Sequence, residues 1–197
     1  MTDPMSAKGL YIVAIGGASH AGSSTERALR LALSVAQAAG AETDLFTGPD
    51  INLPVYAPEY ADRGPEARRL VAAMRRADGF LLGSPSYHGG LSGLVKNAID
   101  YAEDLKDDAR PYFDGRAVGC IATAAGWQGT AATLWAMRSI VYALRGWATP
   151  LGVGVHTAER VFGDAGECLS PALQAQLETV GAQVLDFARW RRAGSGG

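Results

Sequence analysis

Two short stretches of this sequence hold the residues best suited to chemistry, and neither offers an activated nucleophile, a metal cluster or a pair of acid–base carboxylates. The first is Gly16-Gly17-Ala18-Ser19-His20-Ala21-Gly22-Ser23-Ser24-Thr25-Glu26. Its glycines permit a tight turn and a close backbone approach. A helix starting near Ser23 presents free N–H groups and the positive end of its dipole. Ser19, Ser23, Ser24 and Thr25 add hydroxyls. Such a loop can wrap a phosphate dianion without a lysine. It is no P-loop, because Gly22 is followed by Ser23 rather than Lys, and the GxGxxG dinucleotide fingerprint is absent. His20 can share charge with a phosphate when protonated, or stand as an exposed loop histidine. Ser23 or Ser24 can also serve only as a helix N-cap.

The second stretch is Gly83-Ser84-Pro85-Ser86-Tyr87-His88-Gly89-Gly90. Pro85 stiffens the chain, Tyr87 gives a flat surface and His88 a polar edge. Gly89 and Gly90 let backbone N–H groups face the heteroatoms of a planar ligand. A purely structural Pro/Gly turn is the alternative. A third, smaller loop runs Thr123 to Thr130, with Gly126 and Trp127 as candidates. Trp127 can instead pack on a neighbouring subunit. Trp135, Trp147 and Trp190 read as core or interface residues.

These loops need elements to hold them. Tyr11 to Ile15, Gly79 to Gly83 and Ala117 to Ala122 are near-continuous apolar runs, as expected of strands buried on both faces. Glu42 to Phe46 reads as a short strand, and Leu151 to Val155 as a fifth, preceded by Pro150. Helical patterns cover Ser23 to Ala39, Glu66 to Ala77, Leu91 to Leu105, Thr130 to Leu144 and Pro171 to Arg191, with Gly40 and Gly146 placed to end two of them. The proline-rich segment from Gly48 to Gly64 reads as a long loop. Five strand–helix units predict an α/β, flavodoxin-like doubly wound sheet of five parallel strands in the order 2-1-3-4-5, helices on both faces. In that order the winding reverses between strands one and three, and ligands sit at the carboxyl ends there. The loops after Ile15 and after Leu82 flank that point.

At 197 residues the chain reads as one domain, with 192–197 a flexible Gly/Ser-rich tail. Hydrophobic residues are 48% and charged residues 19%, which excludes a disordered chain. A net charge of -2 gives no reason to expect nucleic acid or an acidic membrane surface. Cys120 and Cys168 form no CxxC pair and read as reduced thiols. The first nine residues show no signal peptide and no run reaches membrane-span length, so a cytoplasmic protein is expected.

The pattern Ser84-Pro85-x-Tyr87-His88-Gly89, followed by Lys96-Asn97 and Ile99-Asp100, resembles the NADPH-dependent FMN reductase family. So does Gly16-Gly17 followed by Ser23-Ser24-Thr25-Glu26-Arg27-Ala28-Leu29. The resemblance spans Leu10 to Val155. It implies that Ser19, Ser23 and Thr25 contact the phosphate of FMN, that Pro85, Ser86, Tyr87, His88, Gly89 and Gly90 cradle the isoalloxazine, and that Gly126 and Trp127 lie along its pyrimidine side. Many members carry arginine where His20 stands and Ser or Thr where Ala18 stands. Lys96 and Asp100 read as a structural i,i+4 pair.

The activity implied is hydride transfer from NADPH or NADH to FMN, with a monooxygenase as a partner that would use the reduced flavin. A bound-FMN reductase of quinones or azo compounds is the alternative, and a flavodoxin-type electron carrier the third. No catalytic side chain is required. Arg110 and Arg116 are candidates to meet a 2′-phosphate. The first loop has no lysine or arginine and only His20 to share charge, which predicts FMN that exchanges. A homodimer or homotetramer is expected, because Thr130 to Leu144 carries more apolar surface than one sheet face can cover.

Overall fold

A computed structural model describes residues 6–194. Its sheet is built from β1 (Tyr11–Gly16), β2 (Glu42–Phe46), β3 (Gly79–Tyr87), β4 (Gly90–Leu91), β5 (Ala117–Ala124) and β6 (Trp147–His156). The helices are α1 (Ser24–Ala38), α2 (Pro65–Arg76), α3 (Gly93–Asp100), α4 (Trp127–Ala143) and α5 (Pro171–Gly194).

The sheet order is β2-β1-β3-β5-β6, all parallel, with β4 pairing antiparallel to β3. The expected five-stranded sheet is therefore six-stranded, and the order 2-1-3-4-5 holds only if β4 is left uncounted. The extra strand arises because β3 does not stop at Gly83. It runs on through Pro85 and Ser86 and folds back as a two-residue hairpin, pairing Ser86 with Leu91 and Tyr87 with Gly90.

Side chains alternate across a strand, and β1 shows why its run is apolar throughout. Val13 and Ile15 join Phe80, Leu82, Val118 and Cys120 in a core under α2, α3 and α4. Ile12 and Ala14 join Leu81 and Ile121 in a second core under α1 and α5. On that face Gly181 is a contact point: a Cβ there would lie 2.1 Å from the Ala32 carbonyl oxygen.

Several boundaries differ from expectation. β6 starts at Trp147 and passes through Pro150, which an edge strand tolerates because one of its sides pairs with nothing. Its register with β5 shifts between Val118 and Cys120. The expected helix from Leu91 to Leu105 is α3 followed by a 3-10 turn at Tyr101–Leu105. α4 starts at Trp127, three residues early. α5 runs to Gly194, and Arg192 donates to the carbonyls of Lys8 and Ser6, both at 2.7 Å, so 192–194 are helical. The remainder of the expected tail lies outside the described residues, as does the start of the segment searched for a signal peptide.

Asn97 explains its place in the motif. It accepts from Tyr56 N–H at 2.8 Å and donates to the Leu53 and Pro54 carbonyls, pinning the long loop after β2. Arg63 closes that loop with two 2.9 Å bonds to Asp104, which also accepts from Tyr56. Lys96 and Asp100 form the expected pair at 2.6 Å. Trp135, Trp147 and Trp190 are 75%, 62% and 69% exposed, so none belongs to the core of the chain.

Candidate functional site

The loop after β1 is fixed from below. Gly17 N–H donates to the Gly83 carbonyl at 3.2 Å, tying it to β3 at the point where the winding reverses. Ser23 caps α1, its hydroxyl accepting from Glu26 N–H at 3.2 Å. The cap reading of Ser23 is therefore realised in the structure. Thr25 is buried, and its hydroxyl meets that of Thr123 at 2.7 Å. That bond joins the first turn of α1 to the end of β5, so two of the three candidate loops are braced against each other.

Above these braces the loop is open. Ser19, His20, Ala21 and Gly22 are exposed and Ser24 is half-buried. His20 Nδ1 lies 3.1 Å from the Ala21 carbonyl oxygen. α1 follows directly, so the free N–H groups of its first turn face the same region.

The hairpin between β3 and β4 turns at His88 and Gly89, with φ of 53° and 83°. Left-handed backbone at both central residues marks a type I′ turn. His88 holds this conformation without being glycine, at a cost on the order of 1 kcal/mol. The hairpin is held by Ser84, fully buried, whose hydroxyl accepts from Ser92 N–H at 3.0 Å. Thr133 on α4 donates to the Gly90 carbonyl at 3.2 Å, and Ser86 to that of Gly129 at 3.1 Å. Tyr87, His88 and Gly89 are exposed while Pro85 and Ser86 are half-buried.

The third loop contributes Gly126, the N-cap of α4, and Trp127. Trp127 is 64% exposed and stacks on His156, ring centroids 5.0 Å apart and planes 13° from parallel. All three loops leave the carboxyl ends of neighbouring strands, β1, β3 and β5. Gly90 and Gly126 have ordinary backbone angles, and beyond the adjoining residues nothing lies within 4 Å of where a Cβ would sit on either. Neither packing nor backbone strain calls for glycine there, so both leave room for a bound group.

A family model for NADPH-dependent FMN reductase matches residues 10–160. The chain belongs to that family. The family is named for FMN and NADPH, and the open loops have room for the first of them. An NADPH azoreductase from Bacillus sp. (strain OY1-2) is 30% identical over 147 residues, 73% of this chain and 78% of that one. An FMN-dependent NADPH-azoreductase from Staphylococcus saprophyticus is 39% identical over 90 residues. That match covers 46% of this chain and only 44% of the relative. In fold, the chain is similar to FerB, a flavoenzyme NAD(P)H:(acceptor) oxidoreductase from Paracoccus denitrificans. The TM-score is 0.74 at 17% identity, covering 92% of this chain and 98% of that one.

Two expectations about arginines are corrected. Arg116 is 1% exposed and donates to the carbonyls of Tyr112 and Arg75; burial, with Arg110 nearby, pulls its pKa down to about 10. Arg110 donates to the Ala77 carbonyl at 3.0 Å, and Asp78 lies 3.8 Å away. Both precede the amino ends of strands, the end of the sheet opposite the candidate site. The first loop, conversely, is not without a cation. Arg27 comes within 3.8 Å of the space a side chain on Gly22 would fill, and donates to the Gly163 carbonyl at 2.7 Å. Helical side chains lean toward the N-terminus, so a residue one turn into α1 reaches back over the loop; that rule was the available signal.

Proposed function

We propose that this protein is an NAD(P)H-dependent FMN oxidoreductase whose flavin lies across the carboxyl ends of β1, β3 and β5. The observation that carries it is the bracing of the three loops at one place, through Gly17 to Gly83 and Thr25 to Thr123. When bound, FMN supplies the ring that accepts a hydride from a nicotinamide and passes electrons on. Ser19, Ser23, Ser24 and Thr25, with the N–H groups of the first turn of α1, hold the phosphate, and His20 borders it. Pro85, Ser86, Tyr87, His88 and Gly89 cradle the ring, and Gly126 and Trp127 border its far edge. N–H groups near Gly89 favour negative charge on the ring edge they face. The protein orients and shields; none of its side chains transfers a proton in this reading.

A second reading keeps FMN bound through turnover and delivers electrons to quinones or azo compounds. It is favoured by the azoreductase relatives and by a groove beside Trp127, walled by His156, Leu169 and Leu173. A monooxygenase partner belongs to the first reading and not to the second. The apolar excess on α4, with Trp135 and Tyr142 exposed, supports a homo-oligomer. Among the described residues no helix is long and apolar enough to cross a membrane, and the two free cysteines suit the cytoplasm.

The readings separate in one assay. After a desalting column, NADPH and NADH oxidation is followed with added FMN alone, then with a quinone or azo dye on flavin-restored protein. Loss of flavin on the column and turnover with FMN alone is the expected result. Stoichiometric FMN surviving the column, with turnover only when the dye or quinone is present, would favour the second reading. No nicotinamide oxidation under either condition would leave only an electron carrier.

A further inference from the structure

The loop assigned to the phosphate already contains an anion. Glu26 is 5% exposed, and its Oε2 accepts from Gly22 N–H at 2.8 Å. Its Oε1 accepts from Arg30 Nε and Nη2 at 2.9 and 2.7 Å. One backbone donor of the loop is thus held by a carboxylate from the same chain. Arg30 is an incomplete counter-charge, because 62% of its side chain is exposed and water screens it. Arg27 also borders Gly22, its Nη2 3.8 Å from where a Cβ on Gly22 would sit and its Nη1 on the Gly163 carbonyl. The loop is therefore bordered by a buried carboxylate and by two arginines, Arg30 bonded to that carboxylate and Arg27 to the Gly163 carbonyl.

We propose that Glu26 is the residue that sets how tightly this site holds its phosphate-bearing ligand. It has two opposing effects. By fixing Gly22 it orders the loop, which favours binding of any ligand that fits there. By bringing a negative charge beside the dianion, and by occupying the Gly22 N–H, it penalises the phosphate specifically. Charges a few ångströms apart at a partly buried position interact strongly enough to shift a binding constant severalfold. The weaker hold appears as faster release, since affinity differences between related sites lie mostly in the off-rate. Exchange of FMN would then be a property built in by Glu26, and not a consequence of a loop poor in cations. The inference rests on the FMN reading of the site.

The test uses the full chain freed of flavin, titrated with FMN and with riboflavin, which has the same ring and no phosphate. Glu26→Gln keeps the acceptor for Gly22 and removes the charge. It should tighten FMN by on the order of fivefold or more, slow FMN release by a similar factor, and leave riboflavin unchanged. Arg30→Gln removes the partial counter-charge and should weaken FMN while sparing riboflavin. If Glu26→Gln fails to fold, Arg30→Gln decides alone. Equal changes in both ligands, or no change in the FMN-to-riboflavin ratio, would overturn the role given to Glu26 while leaving the FMN site standing. Wild-type protein that binds riboflavin as tightly as FMN, or binds neither, would defeat the site reading and the inference together.

Discussion

The two ends of the parallel sheet treat polar groups in opposite ways. At the amino ends of the strands the charges are used up by the fold. Tyr11 N–H donates to Asp78 at 3.0 Å, Arg75 meets Asp108 at 2.7 Å, Arg76 pairs with Glu42, and Arg116 is buried on two carbonyls. At the carboxyl ends the loops are tied down at their bases, by Gly17, Thr25, Ser84, Ser86 and Thr133, and the first also at Gly22, held by Glu26. Their tips, Ser19 to Gly22, Tyr87 to Gly89 and Ala125 to Trp127, face solvent. At the amino ends the satisfied charges mark structure. Polar groups held rigidly at the base but open at the tip mark a place prepared for something else.

The largest expected effect breaks the open end without touching the closed one. Replacing Ser23 and Thr25 together with Ala should weaken FMN binding by about 3 kcal/mol or more, since each hydrogen bond to a charged group contributes roughly 1.5–3 kcal/mol. Stability should fall by only about 1–2 kcal/mol, from the lost N-cap and the lost Thr25–Thr123 bond. Flavin titration beside thermal unfolding checks both. An unchanged FMN dissociation constant in the folded double variant would remove the phosphate assignment.

The closed end should give the converse. Arg116→Met keeps most of the buried volume but leaves the Tyr112 and Arg75 carbonyls without this donor. We expect a stability loss of about 2 kcal/mol, the relief of an uncharged interior offsetting part of the penalty. FMN affinity and the preference between NADPH and NADH should not move. A change in nucleotide preference would restore Arg116 as a 2′-phosphate contact and blur the distinction between the ends.

The smallest effect has the opposite sign. Arg145 follows α4 in left-handed backbone, φ 63°, with Gly146 N–H donating to the Val141 carbonyl at 2.9 Å. This is the position at which helices usually carry glycine. Arg145→Gly should raise stability by about 0.5–1 kcal/mol, less whatever is lost with the guanidinium now 5.4 Å from the Tyr112 ring centre. Denaturant unfolding reads it directly; a destabilised variant would mean that the stacked pair outweighs the backbone strain.

The parallel order of the sheet was legible because strands buried on both faces must be apolar at every position, as Tyr11 to Ile15 and Ala117 to Ala122 are. The helix start at Ser23 was legible because a capping hydroxyl before a periodic run has few other meanings. The β3–β4 hairpin was not, because Ser84-Pro85-Ser86 is a poor strand sequence in isolation; its pairing comes from a His88-Gly89 turn in which histidine takes an angle usually left to glycine or asparagine. Nor was the fate of the charges. Arg27, Arg110 and Arg116 look alike along the chain; the backward lean of helical side chains was the one hint that Arg27 covers the loop, and only topology sends the other two to the opposite end of the sheet. The same holds for Glu26, which reads as an ordinary first-turn acid until its contact with Gly22 is seen.

The central claim, that FMN occupies the carboxyl ends of β1, β3 and β5, is tested most directly by amide hydrogen exchange on the flavin-free protein with and without saturating FMN. Added protection should concentrate in residues 17–25, 85–91 and 124–128, and segments 75–78 and 108–117 at the amino ends should exchange unchanged. Protection at those amino-end segments, or no protection in the 17–25 loop, would contradict it.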